Sequence, residues 1–160
     1  DMSAVIQIPE IYIRPMVEQD VTSIINIEDN AYDFPWNKTI FQDCLHAGYS
    51  SWAIEFNKIL IGYGIMLITS DESHILNLCV HPDYQSRGIG KQLLNHFLVL
   101  ARRENMHRIF LEVRPTNFKA IRLYLNMGFN EIGKRQNYYP TKIGREDALI
   151  LAKTLLKEEF

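Results

Sequence analysis

The chain has 160 residues, of which 47% are apolar, and a formal net charge of −2 at pH 7. This length predicts a single domain spanning residues 1–160. The charge argues against a protein that binds nucleic acid through a strongly basic surface, and no apolar run is long enough to predict a membrane span. We expect residues 1–10 to be a tag remnant or a poorly ordered start, and they show no signal-peptide pattern.

The two cysteines and five histidines are not arranged as ligand sets or redox pairs. Cys44 and Cys79 lack CxxC spacing and lie in apolar segments, so we expect reduced core thiols in a cytoplasmic protein. The histidines show no metal-ligand spacing, and no metal is expected. The sequence carries no indication of the oligomeric state.

The first half of the chain predicts a meander of strands preceded by two helices. Asp20 is a suitable N-cap for a helix from Val21 to about Ala31. Asn37 or Thr39 caps a second short helix that ends near Gly48. The predicted strands share short runs of β-branched and aromatic residues: Ile11–Pro15, Ser51–Phe56, Ile59–Thr69 and His74–Val80.

The segment after the fourth strand has the features of a pyrophosphate-binding turn. Pro82 ends the strand, and Gly88 and Gly90 precede an amphipathic helix that runs to about Asn105. A helix N-terminus exposes backbone N–H groups and partial positive charge, and Arg87 adds a formal charge beside it. Without further evidence, an ordinary turn before a helix explains the same pattern.

The second half alternates strands and helices. Its elements are a strand at Arg108–Val113, a helix from Asn117 to Met127, and closing strands at Asn130–Lys134 and Asp147–Thr154, joined by a polar, tyrosine-containing connection. The order β-α-α-β-β-β-α-β-α-β-β predicts an α/β fold with a mixed sheet. We expect about seven strands, with an antiparallel N-terminal half and a parallel central pair, flanked by about four helices.

Three residues, one on the fifth strand and two on the following helix, suggest a reaction site. Glu112 interrupts an apolar strand, and Asn117 and Tyr124 lie on one face of the following helix. A carboxylate and a phenol can accept and donate protons. An arginine-paired edge carboxylate and a core tyrosine with a polar tip are the alternatives.

The motifs resemble the GCN5-related N-acetyltransferases. Gln85–Gly90 matches the acyl-coenzyme A motif Gln/Arg-x-x-Gly-x-Gly/Ala of that superfamily without departure. From about Glu28 onward, further stretches resemble its RimI group of ribosomal-protein-alanine N-acetyltransferases. These stretches are F-P-W at 34–36, L-E-V-R-P-T-N at 111–117, A-I-R-L-Y at 120–124, N-Y-Y-P at 137–140 and G-R-E-D-A at 144–148.

The resemblance implies a role for individual residues. Glu112 corresponds to the proton acceptor, acting through water, and Tyr124 to the proton donor for the coenzyme A thiolate. Asn117 corresponds to the amide that holds the cofactor arm. The strand residues Leu78, Cys79 and Val80 correspond to the segment along the pantetheine. The pyrophosphate cradle corresponds to Ser86, Arg87, Gly88, Ile89, Gly90 and Lys91.

The implied reaction uses acetyl-coenzyme A as co-substrate and the N-terminal alanine of ribosomal small-subunit protein eighteen as acceptor, by direct attack in a ternary complex. An aromatic set, Phe34, Trp36, Tyr138 and Tyr139, is a candidate wall for the peptide, although each ring could instead serve packing. Glu28, Glu146 or Asp147 could attract basic residues of the acceptor.

Three alternatives remain open from the sequence. The acceptor range could extend to other N-termini or to small amines. The protein could instead be a non-catalytic sensor of acyl-coenzyme A, which would need neither Glu112 nor Tyr124. An acyl-enzyme on Cys79 has no paired histidine in the sequence to support it.

Overall fold

A computed structural model describes residues 11–155, which form one mixed sheet between helices. The expectation for residues 1–10 lies outside the described residues. The strands are β1 (Ile11–Pro15), β2 (Ser50–Phe56), β3 (Ile59–Ile68), β4 (Glu72–Val80), β5 (Arg108–Val113), β6 (Asn130–Thr141) and β7 (Gly144–Thr154). The helices are α1 (Val21–Ala31), α2 (Lys38–His46), α3 (Ile89–Arg103) and α4 (Phe118–Asn126), with 3-10 turns at Glu18–Asp20 and Pro82–Tyr84.

The strand order across the sheet is β1-β2-β3-β4-β5-β7-β6. β1 to β4 pair antiparallel, β4 and β5 pair parallel across the α3 crossover, and β5, β7 and β6 pair antiparallel. This confirms the predicted mixed α/β sheet with seven strands, one parallel central pair and four flanking helices. Among residues 11–155, no helix is both long and apolar enough to cross a membrane.

The closing hairpin is longer than the sequence predicts. The predicted polar connection, residues 135–146, is mostly strand, because β6 continues to Thr141 and β7 begins at Gly144. Most side chains along β6 are exposed. Since neither face of this arm is deeply buried, it lacks the apolar alternation from which a strand is predicted. The register of β6 against β7 also shifts between Arg135 and Tyr139.

Asp20 does not cap α1 through its side chain as predicted. Its carboxylate instead accepts two hydrogen bonds of 2.8 Å from Arg14 and a third of 2.8 Å from the backbone N–H of Val17. The hydrogen bonds from Arg14 lower the pKa of Asp20 despite its burial. Asp20 therefore joins β1 to the start of α1.

The two faces of the sheet carry separate apolar layers. On one face, α3 packs through fully buried side chains that include Leu93, Leu94 and Phe97. On the other, α1 and α2 pack through Ile24 and Phe41. The α3 layer lies close to the sheet because Gly64 of β3 has no side chain where the ring of Phe97 packs.

We predict that Gly64→Ala destabilises the fold. A Cβ at this position would lie 2.5 Å from Cε2 of Phe97, whose ring is fully buried and cannot move aside freely. Overpacking of this kind costs about 1–3 kcal/mol of unfolding free energy. Gly133→Ala is the matched control, because its Cβ would meet only Ile150 Cδ1 at 3.8 Å. Chemical denaturation that shows equal stability for the two variants would contradict the prediction.

Candidate functional site

A cleft of about 1070 Å³ opens where β4 and β5 separate. Their pairing ends at Ile75 and Leu111, although both strands continue. On the β4 side, the strands separate at Leu76. This residue is an extra one in the register between β3 and β4, and it forms a bulge. Beyond it, the edge of β4 that faces away from β3 has no strand partner and lines the cleft.

The N-terminus of α3 closes one end of this cleft. Gly88 precedes the helix with φ 79°, a left-handed conformation that favours glycine, and a Cβ there would meet no atom within 4 Å. The requirement for glycine is therefore conformational rather than steric. The Gln85 side chain donates a 3.0 Å hydrogen bond to the carbonyl of Val80, which ties the turn to the end of β4.

The α3 N-terminus can bind an anionic group through its backbone. The first N–H groups of a helix have no intrahelical acceptor and carry partial positive charge. Lys91, Ser86 and Gly90 line the cleft beside them. Ile89 is buried in the core, so its side chain is directed away, and the guanidinium of Arg87 lies over the ring of Tyr84 at 5.4 Å. At this end, the cleft is therefore lined by backbone and by Lys91 rather than by Arg87.

Glu112 lines the cleft from β5 with both carboxylate oxygens engaged. His74 on β4 donates a hydrogen bond through Nε2 to Oε2, and Arg135 Nε donates to Oε1 at 3.0 Å. A carboxylate can only accept, so the imidazole carries a proton on Nε2. Burial raises the pKa of Glu112, but the hydrogen bonds and positive charge of His74 and Arg135 outweigh it, and the pKa lies below its ordinary value. Glu112 is therefore ionised at neutral pH.

Tyr124 and Cys79 contribute protonated groups to the same cleft. Tyr124 is buried on α4 with its ring centroid 5.6 Å from that of Phe129, and burial raises the pKa of its phenol. Burial also raises the pKa of the Cys79 thiol to about 11, which leaves very little thiolate at neutral pH. The cleft thus combines an ionised carboxylate with a phenol and a thiol that keep their protons.

Asn117 directly precedes α4 and is the N-cap of this helix. Its Oδ1 accepts a 3.3 Å hydrogen bond from the backbone N–H of Ala120, as an N-cap does. The residue also lines the cleft. Since the cap uses only the oxygen, the side-chain NH₂ group remains able to donate to a bound molecule.

The four predicted aromatic residues all border the cleft, but they differ in environment. Trp36 packs on Phe41 with 5.3 Å between ring centroids, which favours a structural contribution. Tyr138 and Tyr139 contact each other edge to face at 4.8 Å on the extended β6 arm. Phe34 lines the cleft from the loop after α1.

Arg114 contacts both Phe34 in the loop after α1 and Tyr139 on the β6 arm. It was not identified as a site residue from the sequence. Its guanidinium lies 4.4 Å from the ring centroid of Tyr139 and 5.6 Å from that of Phe34. It also donates 2.9 Å hydrogen bonds to the carbonyl of Pro140 and to Glu146. The loop and the hairpin therefore meet through one arginine over the cleft.

The acidic residues predicted to attract a basic acceptor have partners within the protein. Glu28 is only 2% exposed. Its carboxylate accepts hydrogen bonds from the Tyr63 hydroxyl at 2.7 Å, the Asn77 side chain at 3.0 Å and the backbone N–H of Trp36 at 2.9 Å. Glu146 pairs with Arg114, and Asp147 accepts from the backbone of Asn137. Glu28 therefore holds the cleft wall together rather than offering a free charge.

Fourteen of the sixteen predicted site residues line the cleft, with Arg87 and Ile89 the exceptions. The residues that sequence reasoning missed are His74, Arg114 and Arg135. His74 is placed beside Glu112 only by the register of β4 against β5, which pairs it with Phe110. Within residues 11–155, no cluster of acidic, histidine and cysteine side chains is arranged to hold a metal ion.

Similar proteins are known for both the sequence and the fold. Residues 19–129 match the model of the acetyltransferase (GNAT) family. The ribosomal protein bS18-alanine N-acetyltransferase of Escherichia coli strain K12 is 38% identical over 133 residues, which are 83% of this chain and 90% of that protein.

Two solved structures extend the comparison. The crystal structure of the ribosomal-protein-S18-alanine N-acetyltransferase from Escherichia coli has a TM-score of 0.86 at 34% identity and covers 94% of this chain and 97% of that one. Arabidopsis thaliana Naa50 in complex with the bisubstrate analogue CoA-Ac-MVNAL has a TM-score of 0.79 at 25% identity. The match covers 90% of this chain and 98% of that one.

We predict that Cys79 reacts slowly with iodoacetamide in the folded protein at pH 7.5. A pKa of about 11 in place of 9.0 lowers the thiolate fraction about a hundredfold, and burial further limits access. Alkylation of Cys79, followed by mass spectrometry of its peptide, should be at least thirtyfold slower in the folded protein than in urea. Equal rates would contradict the assignment and restore Cys79 as a candidate nucleophile.

Proposed function

Because the chain belongs to the acetyltransferase (GNAT) family, we propose that it transfers the acetyl group of acetyl-coenzyme A to the N-terminal α-amine of a protein that begins with alanine. The proposed acceptor is ribosomal protein bS18, the acceptor in the name of the 38% identical relative. The proposed location of the activity is the cytoplasm, where a ribosomal acceptor is made. The observation that carries the proposal is one continuous cleft that runs from the α3 N-terminus to Glu112.

The cleft has the groups that acetyl-coenzyme A requires. The α3 N-terminus and Lys91 suit the pyrophosphate, since both supply N–H donors and positive charge. The unpaired edge of β4 at Leu78, Cys79 and Val80 suits the amide-bearing pantetheine, because its backbone groups need hydrogen-bond partners. When bound, acetyl-coenzyme A supplies an activated acetyl thioester with a thiolate leaving group.

Glu112 is the proposed proton acceptor for the attacking amine. An α-ammonium has a pKa near 7.7–8.0, so part of it is already neutral at physiological pH and a weak base suffices. Glu112 is ionised and lines the cleft, so it can take the proton directly or through one water molecule.

Tyr124 is the proposed proton donor for the leaving thiolate. Its phenol keeps its proton because burial raises its pKa, and Tyr124 lines the same cleft as the free edge of β4. Asn117 is proposed to hold the cofactor arm through its free NH₂ group. Direct attack with both substrates bound is supported by Cys79, whose thiol is protonated and therefore a poor nucleophile.

The acceptor peptide is proposed to enter on the side of β6 and the α1–α2 loop. Phe34, Trp36, Tyr138 and Tyr139 border this side, and Arg114 spans it. Aromatic rings supply apolar surface to a short peptide at low entropic cost, since each ring has few rotatable bonds.

The first test is release of coenzyme A from acetyl-coenzyme A in the presence of a short basic peptide that begins with alanine. We expect turnover with the free peptide and none with the same peptide acetylated at its α-amine. Turnover with the blocked peptide would point to side-chain acetylation instead. Tight coenzyme A binding without turnover on either peptide would favour the sensor.

We predict that Glu112→Gln lowers kcat by about 10²–10⁴-fold, the usual contribution of a general base. The affinity for coenzyme A, measured by calorimetry, should stay within about twofold, because the proposed coenzyme A contacts at the α3 N-terminus and along β4 do not include Glu112. Glu131→Gln is the control, since Glu131 is an exposed glutamate on β6. Wild-type turnover by Glu112→Gln would remove Glu112 from the mechanism.

A further inference from the structure

The two hydrogen-bond donors of Glu112 differ in how firmly they are held. The His74 side chain is 19% exposed, whereas that of Arg135 is 50% exposed and Glu112 itself is 6% exposed. His74 occupies Oε2 and Arg135 occupies Oε1. One oxygen therefore has a mostly buried partner and the other a half-exposed partner.

His74 is held in place from two directions. Its backbone is paired with β3 at Leu67 and with β5 at Phe110. Its ring stacks on the ring of Phe110 with 4.3 Å between centroids and 14° between planes. The guanidinium of Arg108 lies 5.6 Å from the centroid of Phe110 and is paired with Glu72 at 2.7 Å. The imidazole thus has little freedom to leave Glu112.

Arg135 has no comparable support. It lies where the register of β6 shifts against β7, and its guanidinium is 5.7 Å from the centroid of the half-exposed Tyr138 ring. Because its guanidinium is half-exposed, water can solvate Arg135 if it leaves Oε1, so another cation can replace it there at little cost.

We propose that His74 is a positioning residue for the acetyl transfer. It holds Glu112 through Oε2, and it leaves Oε1, the oxygen with the replaceable partner Arg135, for the acceptor. The α-ammonium of the acceptor takes the place of the guanidinium on Oε1, since both are cationic N–H donors. This inference rests on the proposed function, and it assigns the orientation of the base to a residue outside the recognised motifs.

The charges around Glu112 support the assignment. It is faced by His74 from β4 and by Arg135 and Tyr139 from β6, and its partner on β7 is the apolar Ile150. The hydrogen bond from His74 is the largest influence that opposes burial. Removal of that N–H should therefore raise the pKa of Glu112 and leave the carboxylate free to rotate.

The test compares two substitutions of His74. His74→Phe keeps a ring that can stack on Phe110 but removes the donor, and His74→Gln restores an N–H donor without a titrating ring. The control is His46→Phe, because His46 is exposed in the last turn of α2. Thermal unfolding of each variant checks that the fold is retained.

The first readout is the pKa of Glu112 in the free protein, from the pH dependence of its ¹³C carboxyl shift. Turnover is not needed for this measurement, and the titrating amine of the acceptor does not interfere. We expect a higher pKa in His74→Phe, a smaller rise in His74→Gln, which keeps an N–H donor but not the positive charge, and no change in His46→Phe. Arg135→Gln should raise the pKa of Glu112 less than His74→Phe does.

The second readout is turnover with the alanine peptide at saturating acetyl-coenzyme A. We expect kcat to fall about tenfold to a hundredfold in His74→Phe and to recover to within about threefold of the wild type in His74→Gln. Equal loss in both variants, or an unshifted Glu112 pKa in His74→Phe, would overturn the assignment of His74. A wild-type protein without turnover would instead overturn the proposed function.

Discussion

The separation of β4 from β5 is the constraint on which the rest of the site depends. A parallel pair normally satisfies the backbone groups of both strands, but here the pairing ends at Ile75 and Leu111 while both strands continue. The bulge at Leu76 makes this possible without loss of the pairing between β3 and β4. Backbone groups on the freed edge need partners, and a ligand rich in amides can supply them. The same separation leaves room for α3 and α4 to present their N-termini to one cleft.

The electrostatics of the cleft divide the proton-carrying groups into two kinds. Burial acts in the same direction on Glu112, Tyr124 and Cys79, because it disfavours the charged form of each and raises its pKa. Only Glu112 has donors that reverse this effect. The result is one ionised acceptor among groups that keep their protons, which is the combination that transfer from a thioester to an amine requires. Glu112 is ionised, unlike Tyr124 and Cys79, because His74 and Arg135 donate to it and not because of the depth of its burial.

The long β6–β7 hairpin links the reaction site to the surface where an acceptor would bind. It carries Arg135, which reaches Glu112, and Tyr139, which stacks with Arg114. Arg114 in turn contacts Phe34 in the loop after α1. Parts of the chain that are far apart in sequence thus meet around the carboxylate, and the exposed half of this network is the part that a peptide could rearrange.

The sequence by itself determined most of the elements, the mixed sheet and the glycine-bearing turn before α3, because each depends on local patterns: apolar periodicity, the proline after β4 and the glycines before α3. It also suggested Glu112 and Tyr124 as candidates for the site, since polar groups interrupt apolar faces there. Only the tertiary structure decided the partners of Glu112, the internal role of Glu28 and the length of the closing hairpin. His74 and Arg135 reach Glu112 through strand register and a register shift, and Glu28 meets Tyr63 and Asn77 across the packed layers. Such contacts join residues that are distant in sequence, so no local pattern of residues encodes them.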